Sequence, residues 1–360
     1  MPKRLLALFA VLAFAAPGPG FPQSVAAETA GPTLTAKVDA IVDEATERGF
    51  AGGVAIMKDG ALIYDRVAGY SDNAKTAPVT EETLFHVASI TKYLTAALVM
   101  KAAEEDLLSL DAPVSDYLPE MAFAKRGATI SDLLAHRSGL GSSYAAEKHA
   151  DAAGAIAAID AAPFDESKVG QFKYSNDGYD LLAIILERVC KKPYEDVARN
   201  LLLEPARLSG TGFWGETDTS DPRRVGQPLE VLPEKLRARN YGMIGSAGYL
   251  TTARDLARLE AALADGETLS AASYEALHAP RGEISIGSAT YGAFLMRNEA
   301  LGPYYSARGF EDWGDNAILN HYLDSNVIIA VVTSKGPAEG EGKPFRDTIS
   351  KAIEDELAAQ

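Results

Sequence analysis

The chain has 360 residues, 47% of them apolar and 23% charged, which is an ordinary globular composition with enough length for a large packed core. Its formal net charge of −16 argues against nucleic acid or an anionic membrane surface as a partner. The single cysteine, Cys190, excludes an intrachain disulfide, and its apolar helical surroundings predict a small buried side chain. The five histidines and this cysteine show no metal-ligand spacing, so we predict no metal and no cofactor.

The first 27 residues have the pattern of a secretory signal peptide. Lys3 and Arg4 precede an apolar run over residues 5–16, and small residues follow up to Ala27. The run is shorter than the roughly 20 residues that a transmembrane helix needs. We therefore expect cleavage after Ala27, a periplasmic or secreted location, and one domain over residues 28–360.

Strand-like runs lie near both ends of the expected domain. The first two flank a turn at Asp59-Gly60, where glycine allows the positive φ of a tight hairpin. The predicted strands are Gly53–Met57, Ala61–Val67, Ala317–Leu323 and Val327–Thr333, with weaker candidates at Tyr291–Met296 and Tyr304–Arg308.

The middle of the chain is mostly helical in pattern. A helix follows Ser89, a capping box of Thr252 and Asp255 opens another that ends at Gly266, and a last helix covers Phe345–Ala358. These elements predict an α+β fold, with one antiparallel sheet built from both chain ends, flanking helices and a mostly helical second lobe. A cleft between sheet and lobe is a usual place for a ligand.

The tetrad Ser89-Ile90-Thr91-Lys92 carries coherent nucleophile chemistry. Residues three apart on a helix are neighbours, so the Lys92 amine lies beside the Ser89 hydroxyl and can act as its base. The helix start also offers N–H groups to an oxyanion. Random placement of 22 serines and 16 lysines predicts about one such tetrad, so the tetrad alone favours an ordinary helix start with a solvated lysine.

The surrounding sequence resembles the serine β-lactamase and penicillin-binding-protein superfamily. It is most similar to the class C-like branch, which includes D-alanyl-D-alanine carboxypeptidases, D-aminopeptidases and family VIII esterases. The resemblance covers roughly residues 35–355, almost all of the expected mature chain. Its segments, in the family's order, are Phe85–Ala96 around the nucleophile, Asp132–Leu140 with Leu-Leu-x-His-x-Ser-Gly-Leu, Phe172–Tyr179 with Tyr-x-Asn, and Ser246–Leu250 followed by Ala253–Ala257.

The resemblance implies catalytic roles for Ser89, Lys92 and Tyr174, and a substrate-binding role for Asn176. A phenol beside a lysine cation can pass the serine proton to the leaving group, and the amide can bind both the lysine and the substrate. Without the upstream tetrad, Tyr174 reads as a core aromatic and Asn176 as a helix N-cap.

Two histidines and one absent motif complete the candidate set. His136 titrates near neutrality, but the resemblance implies a structural role in the loop that ends at Leu140. His86, three residues before Ser89, has no assigned role. No Gly-x-Ser-x-Gly occurs, which excludes the α/β-hydrolase nucleophile elbow.

The third family motif, Lys-Ser/Thr-Gly or His-x-Gly, is not intact. Alignment back from Gly314 places Arg308-Gly309-Phe310 there, so Arg308 is expected to bind a substrate carboxylate and Phe310 to line the site, and the Glu311 N–H is a candidate oxyanion donor. Arg308 is alternatively a solvated strand-end charge. The departure disfavours β-lactam turnover more than acyl transfer in general.

The sequence therefore predicts an exported serine hydrolase that cleaves a small ester, amide or D-amino-acid peptide through an acyl-enzyme, with no nucleic-acid partner and no membrane span. The alternative is a non-catalytic module of the same fold that binds peptidoglycan. A weaker alternative is a protein partner for the acidic surface.

Overall fold

The two ends of the chain meet in one eight-stranded antiparallel sheet, as the sequence predicts. The computed structural model describes residues 33–122, 127–229, 238–336 and 342–359, so the expected signal peptide lies outside the described residues. In chain order the strands are β1 (Gly52–Lys58), β2 (Ala61–Ala68), β3 (Phe85–His86), β4 (Thr211–Phe213), β5 (Tyr249–Thr251), β6 (Gly282–Ile284), β7 (Gly287–Ala289), β8 (Phe294–Asn298), β9 (Gly302–Phe310), β10 (Asn316–Tyr322) and β11 (Val327–Thr333). The large sheet has the order β2-β1-β11-β10-β9-β8-β7-β6, and β3-β5-β4 form a separate small sheet.

Helices cover both faces of the large sheet, and β10 and β11 are therefore buried along their whole length. The described helices are α1 (Leu34–Glu47), α2 (Thr91–Glu104), α3 (Ile130–Leu134), α4 (Ala152–Asp160), α5 (Asn176–Cys190), α6 (Tyr194–Ala198), α7 (Ala253–Ala264), α8 (Ala271–His278) and α9 (Phe345–Ala358). Helices α1 and α9 pack on one face around Val42, Ile329 and Ile353. The other face packs against α2 and α7 and continues into the helical lobe around α5.

Local sequence signals explain most of these boundaries. Asp59 and Gly60 both have positive φ in the β1–β2 turn, as expected for a tight hairpin. Gly292 at φ 74° makes a turn where the weaker strand was predicted, so β8 starts only at Phe294. The Thr252 hydroxyl accepts the Asp255 N–H and opens α7, but the Asp255 carboxylate accepts the Gly210 N–H instead of closing the reciprocal bond.

Two observations bear on the remaining sequence predictions. Cys190, at the end of α5, is only partly buried against the core, because it lies in the last turn of the helix. Among the described helices, none is long and apolar enough to cross a membrane.

Candidate active site

Ser89 is held in a tight turn between β3 and α2. A 3-10 turn over Ala88–Ile90 leads into α2, and Ala88 has the left-handed φ of 48°, which a small side chain tolerates best. The Thr91 hydroxyl donates to the Ala88 carbonyl at 2.7 Å and accepts the Tyr249 N–H at 3.0 Å. The nucleophile turn is therefore tied to β5 and presents the partly exposed Ser89 to the cleft.

Lys92 lies directly beneath Ser89. Its side chain is 2% exposed, and Nζ donates to Ser89 Oγ at 3.2 Å and to the Ser246 carbonyl at 2.8 Å. The Ser246 carbonyl holds the Lys92 amine next to the Ser89 hydroxyl, so a proton can pass between the amine and the hydroxyl. Ser246 lies in a segment that the sequence matched to the family, but its carbonyl was not predicted to take part.

Tyr174 completes the group around Ser89. Its hydroxyl donates to Ser89 Oγ at 2.8 Å, and Lys92 Nζ lies 4.8 Å from its ring centroid. Tyr174 is 38% exposed, so it reaches the protein surface and is not a core aromatic. The structure therefore brings the three predicted catalytic side chains within hydrogen-bonding reach, although Tyr174 is 85 residues from Ser89.

His136 supports Tyr174 from behind. It is 4% exposed, its Nδ1 accepts the Ser175 N–H at 3.0 Å, and its ring lies 4.7 Å from the Tyr174 ring. Burial, helped by the positive charge of Lys92, lowers the pKa of His136 to about 3, so the ring is neutral. These contacts fit the structural role that the resemblance implied.

Asn176 is the first residue of α5 and not its N-cap. Ser175 takes the cap, because its hydroxyl accepts the Gly178 N–H at 2.9 Å. Among the described atoms, Asn176 Oδ1 is buried and has no hydrogen-bond partner. Burial raises the pKa of the nearby Tyr144 phenol, a residue that the sequence did not single out, while Asn176 acts in the opposite direction.

Arg308 and Phe310 do not line the site, which corrects the sequence prediction. Side chains alternate along a strand, and in β9 Gly309 faces the nucleophile turn while its two neighbours face α9. Arg308 donates to Ser306 Oγ at 3.0 Å and lies 3.6 Å from the Asp347 carboxylate. Phe310 lies against Arg346, at 5.6 Å from ring centroid to guanidinium carbon.

Glu311 lies on the same side of the strand as the nucleophile turn, but its N–H is not the oxyanion donor that the sequence predicted. Its N–H donates to the Asp315 carbonyl at 2.9 Å, so this N–H is already engaged and is not a free oxyanion donor. Its carboxyl is within electrostatic range of Lys92 and His86. Burial, aided by Asp315, raises the pKa of Glu311 to about 7, while His86 and Lys92 act in the opposite direction.

His86 links the nucleophile segment to the loop after β9. Its Nδ1 lies 3.1 Å from the Asp315 carboxylate and its Nε2 lies 2.6 Å from the Ala247 carbonyl, and both residues are buried. Burial alone would lower the pKa of His86, but its two acceptors and the Glu311 carboxyl raise it overall. His86 therefore ties the nucleophile segment to Asp315 and Ala247, a structural role that no sequence signal revealed.

Comparison with known proteins agrees with this geometry. The beta-lactamase family model matches residues 38–350, most of the chain. The chain belongs to the beta-lactamase family. It is thus a member of the serine β-lactamase and penicillin-binding-protein superfamily, as the sequence resemblance implied, and a serine hydrolase in its general class.

Three relatives illustrate the range of the family. Esterase EstB of Burkholderia gladioli is 32% identical over 234 residues, 58% of this chain and 58% of the esterase. The octameric penicillin-binding protein homologue from Pyrococcus abyssi has a TM-score of 0.73 at 26% identity and covers 89% of this chain and 77% of its own. D-amino acid amidase from Ochrobactrum anthropi SV3, in complex with D-phenylalanine, has a TM-score of 0.76 at 20% identity. The match covers 91% of this chain and 99% of the amidase. The first four curated relatives are matched over 47% to 73% of their own length.

Proposed function

We propose that the protein hydrolyses a small ester or amide through a covalent acyl-enzyme on Ser89. The observation that carries the proposal is that Ser89 Oγ lies 2.8 Å from the Tyr174 phenol and 3.2 Å from Lys92 Nζ. A serine hydroxyl needs a base to become a nucleophile, and two groups able to exchange its proton are in contact with it. The esterase and amidase names among the relatives support the same reaction class.

The reaction follows from these contacts. Ser89 Oγ attacks the substrate carbonyl carbon while its proton passes to the Lys92 amine in its neutral form or to the Tyr174 oxygen in its phenolate form, and the carbonyl oxygen becomes an oxyanion near the start of α2. The tetrahedral intermediate collapses, and Tyr174 returns a proton to the departing alcohol or amine. Water then attacks the acyl-enzyme by the same route in reverse, which frees the acid and Ser89.

The charges around the site favour substrates without a carboxylate. Arg308, the expected carboxylate partner, lies on the opposite face of β9, and Lys335 is turned toward Asn73 and the Gln227 carbonyl. The Glu311 carboxyl instead lies within electrostatic range of Lys92. We therefore expect little turnover of β-lactams such as nitrocefin, whose bicyclic core carries a carboxylate.

Hydrolysis of p-nitrophenyl butyrate tests the proposal. The purified protein should release p-nitrophenol with saturation kinetics, and Ser89→Ala should lose at least about 10³-fold in kcat. Ser109→Ala, which changes an exposed serine on a distant loop, is the matched control and should retain wild-type rates. Full activity in Ser89→Ala would refute the assignment, and a folded wild type without turnover would favour the binding-module alternative.

We also propose that the protein is exported, on the strength of the N-terminal pattern alone. Expression of residues 1–360 in a Gram-negative host should give a periplasmic protein whose intact mass corresponds to a chain beginning at Glu28. A full-length protein in the cytoplasm would contradict this.

A further inference from the structure

Glu311 is the charged side chain that the end of β9 delivers to the nucleophile. Gly309 packs so closely on the nucleophile turn that an added Cβ would lie 1.9 Å from the Val87 carbonyl oxygen. Two residues on, alternation brings Glu311 back to this side, and the carboxyl interacts electrostatically with Lys92, next to Ser89. A substrate bound at Ser89 therefore reacts next to a lysine that lies within electrostatic range of this carboxyl group.

A second acceptor lies on the facing lobe. Asn176 Oδ1 is buried and has no partner among the described residues, and such an atom is costly to leave unpaired. Tyr144 lies near both groups, since burial raises the pKa of its phenol and the Glu311 carboxyl adds to that rise. A carboxylate and an unpaired amide oxygen together suit a cation or an N–H donor.

The positively charged side chains near the end of β9 are not placed to neutralise the Glu311 carboxylate on the side where a substrate would bind. Arg308 and Arg346 lie on the other face, where Arg346 donates to the Gly309 carbonyl and Arg308 lies near Asp347. Lys92 is committed to Ser89 and the Ser246 carbonyl. His86 is enclosed between Asp315 and Ala247.

We propose that Glu311 is a specificity-determining residue that selects esters and amides bearing a cationic group near the scissile carbonyl and rejects anionic ones. This inference rests on the proposed hydrolase function and adds the charge of the substrate to it. A charge held in a partly dry site acts far more strongly than one on the surface, so one carboxylate suffices to set the preference.

Selection by Glu311 should depend on pH in a predictable direction. The carboxyl is neutral below about pH 7 and ionised above it, so preference for a cation should rise as the pH passes through 7. The charged and titratable groups that face Glu311 are His86, Lys92, Asp315, Asp312 and Tyr144. Any effect of pH on the chemical step changes the rate for every substrate, so the diagnostic quantity is a ratio of rates between substrates.

Three p-nitrophenyl esters of similar shape measure that ratio. The 4-(trimethylammonio)butyrate ester carries a permanent cation, the 5,5-dimethylhexanoate ester is its neutral isostere, and the hydrogen adipate ester is anionic. In wild type, kcat/KM should fall in that order at about pH 8, and Glu311→Gln should reduce the cation-to-neutral ratio about tenfold and remove its rise with pH. Asp355→Asn, which removes an exposed carboxylate on α9 that does not face Glu311, should leave the ratio unchanged.

The outcomes separate the two proposals. Turnover in which Glu311→Gln slows all three esters equally would overturn the specificity role, because Glu311 would then act only on Lys92. Absence of turnover in wild type would refute the hydrolase proposal. In that case, calorimetry with 4-(trimethylammonio)butyramide and 5,5-dimethylhexanamide still tests the role of Glu311. The same affinities in wild type and Glu311→Gln would overturn the specificity role. Loss of the preference for the cation in the variant would support it.

Discussion

At the level of single residues, the reactivity of Ser89 depends on which neighbours can exchange its proton. The Tyr174 hydroxyl lies 2.8 Å from Ser89 Oγ, and the His136 ring packs against the Tyr174 ring. Tyr174→Phe keeps the ring and removes this hydroxyl, so we expect kcat on p-nitrophenyl butyrate to fall by about 10²- to 10⁴-fold. The melting temperature should stay within about 2 °C of wild type because the lost group is exposed.

Tyr70→Phe is the control for this change, since Tyr70 is another exposed tyrosine, outside the site. It should leave kcat unaltered. A Tyr174→Phe rate within twofold of wild type would show that Lys92 alone handles the proton.

His136 provides a prediction about stability and pH. Its folded pKa of about 3 lies below the ordinary 6.5, so between these values the unfolded chain binds a proton that the folded protein excludes. Within this range, the contribution of His136 to the free energy of unfolding should fall by about 1.4 kcal/mol for each pH unit below 6.5. Asn in its place tolerates the positive φ and can still accept the Ser175 N–H, but it does not titrate.

Urea unfolding at about pH 7 and pH 5 measures the effect. Between these values wild type should lose about 2 kcal/mol more stability than His136→Asn. Equal losses in the two proteins would mean that His136 is not held neutral in the fold.

At the level of elements, the contact between β9 and the nucleophile turn is the most sensitive in the site. A Cβ at Gly309 would overlap the Val87 carbonyl oxygen and would also touch Ala88. Gly309→Ala must therefore move the strand or the turn, and we expect kcat to fall at least about 100-fold with destabilisation of about 1–3 kcal/mol.

Gly282→Ala, in β6, is the matched control, because an added Cβ there has no described atom within 4 Å. Activity and melting temperature should stay close to wild type. Wild-type activity in Gly309→Ala would show that the turn adapts more easily than the packing indicates.

The elements show what sequence patterns can and cannot predict. The hairpin of β1 and β2, strands β10 and β11 and helix α9 are marked by turn residues or clear apolar patterns, and the sequence placed them to within a residue. Strands of two or three residues, such as β3 and β6, are too short to show a period. Arg308 and Phe310 were misplaced because alignment fixes a position in the chain, whereas the pleat decides which face a side chain takes.

At the level of the whole molecule, the site is assembled from distant parts of the chain. Ser89 and Lys92 come from the start of α2, Tyr174 from the loop before α5, Ser246 from the loop before β5, and Glu311 from the end of β9. Neighbours along a helix follow from local geometry, so the Ser89–Lys92 pair was predictable from spacing. The approach of Tyr174 came only from the family resemblance, and the Ser246 carbonyl and Tyr144 phenol had no sequence signal because backbone groups and loop aromatics follow no pattern.

Labelling with a fluorophosphonate, followed by intact mass and peptide mapping, tests the central claim most directly, because the reagent bonds only to an activated hydroxyl. We predict one adduct per chain, located on the peptide that contains Ser89, with none in Ser89→Ala and slower labelling in Tyr174→Phe. An adduct on another residue, or no adduct in a protein that still hydrolyses p-nitrophenyl butyrate, would contradict the account.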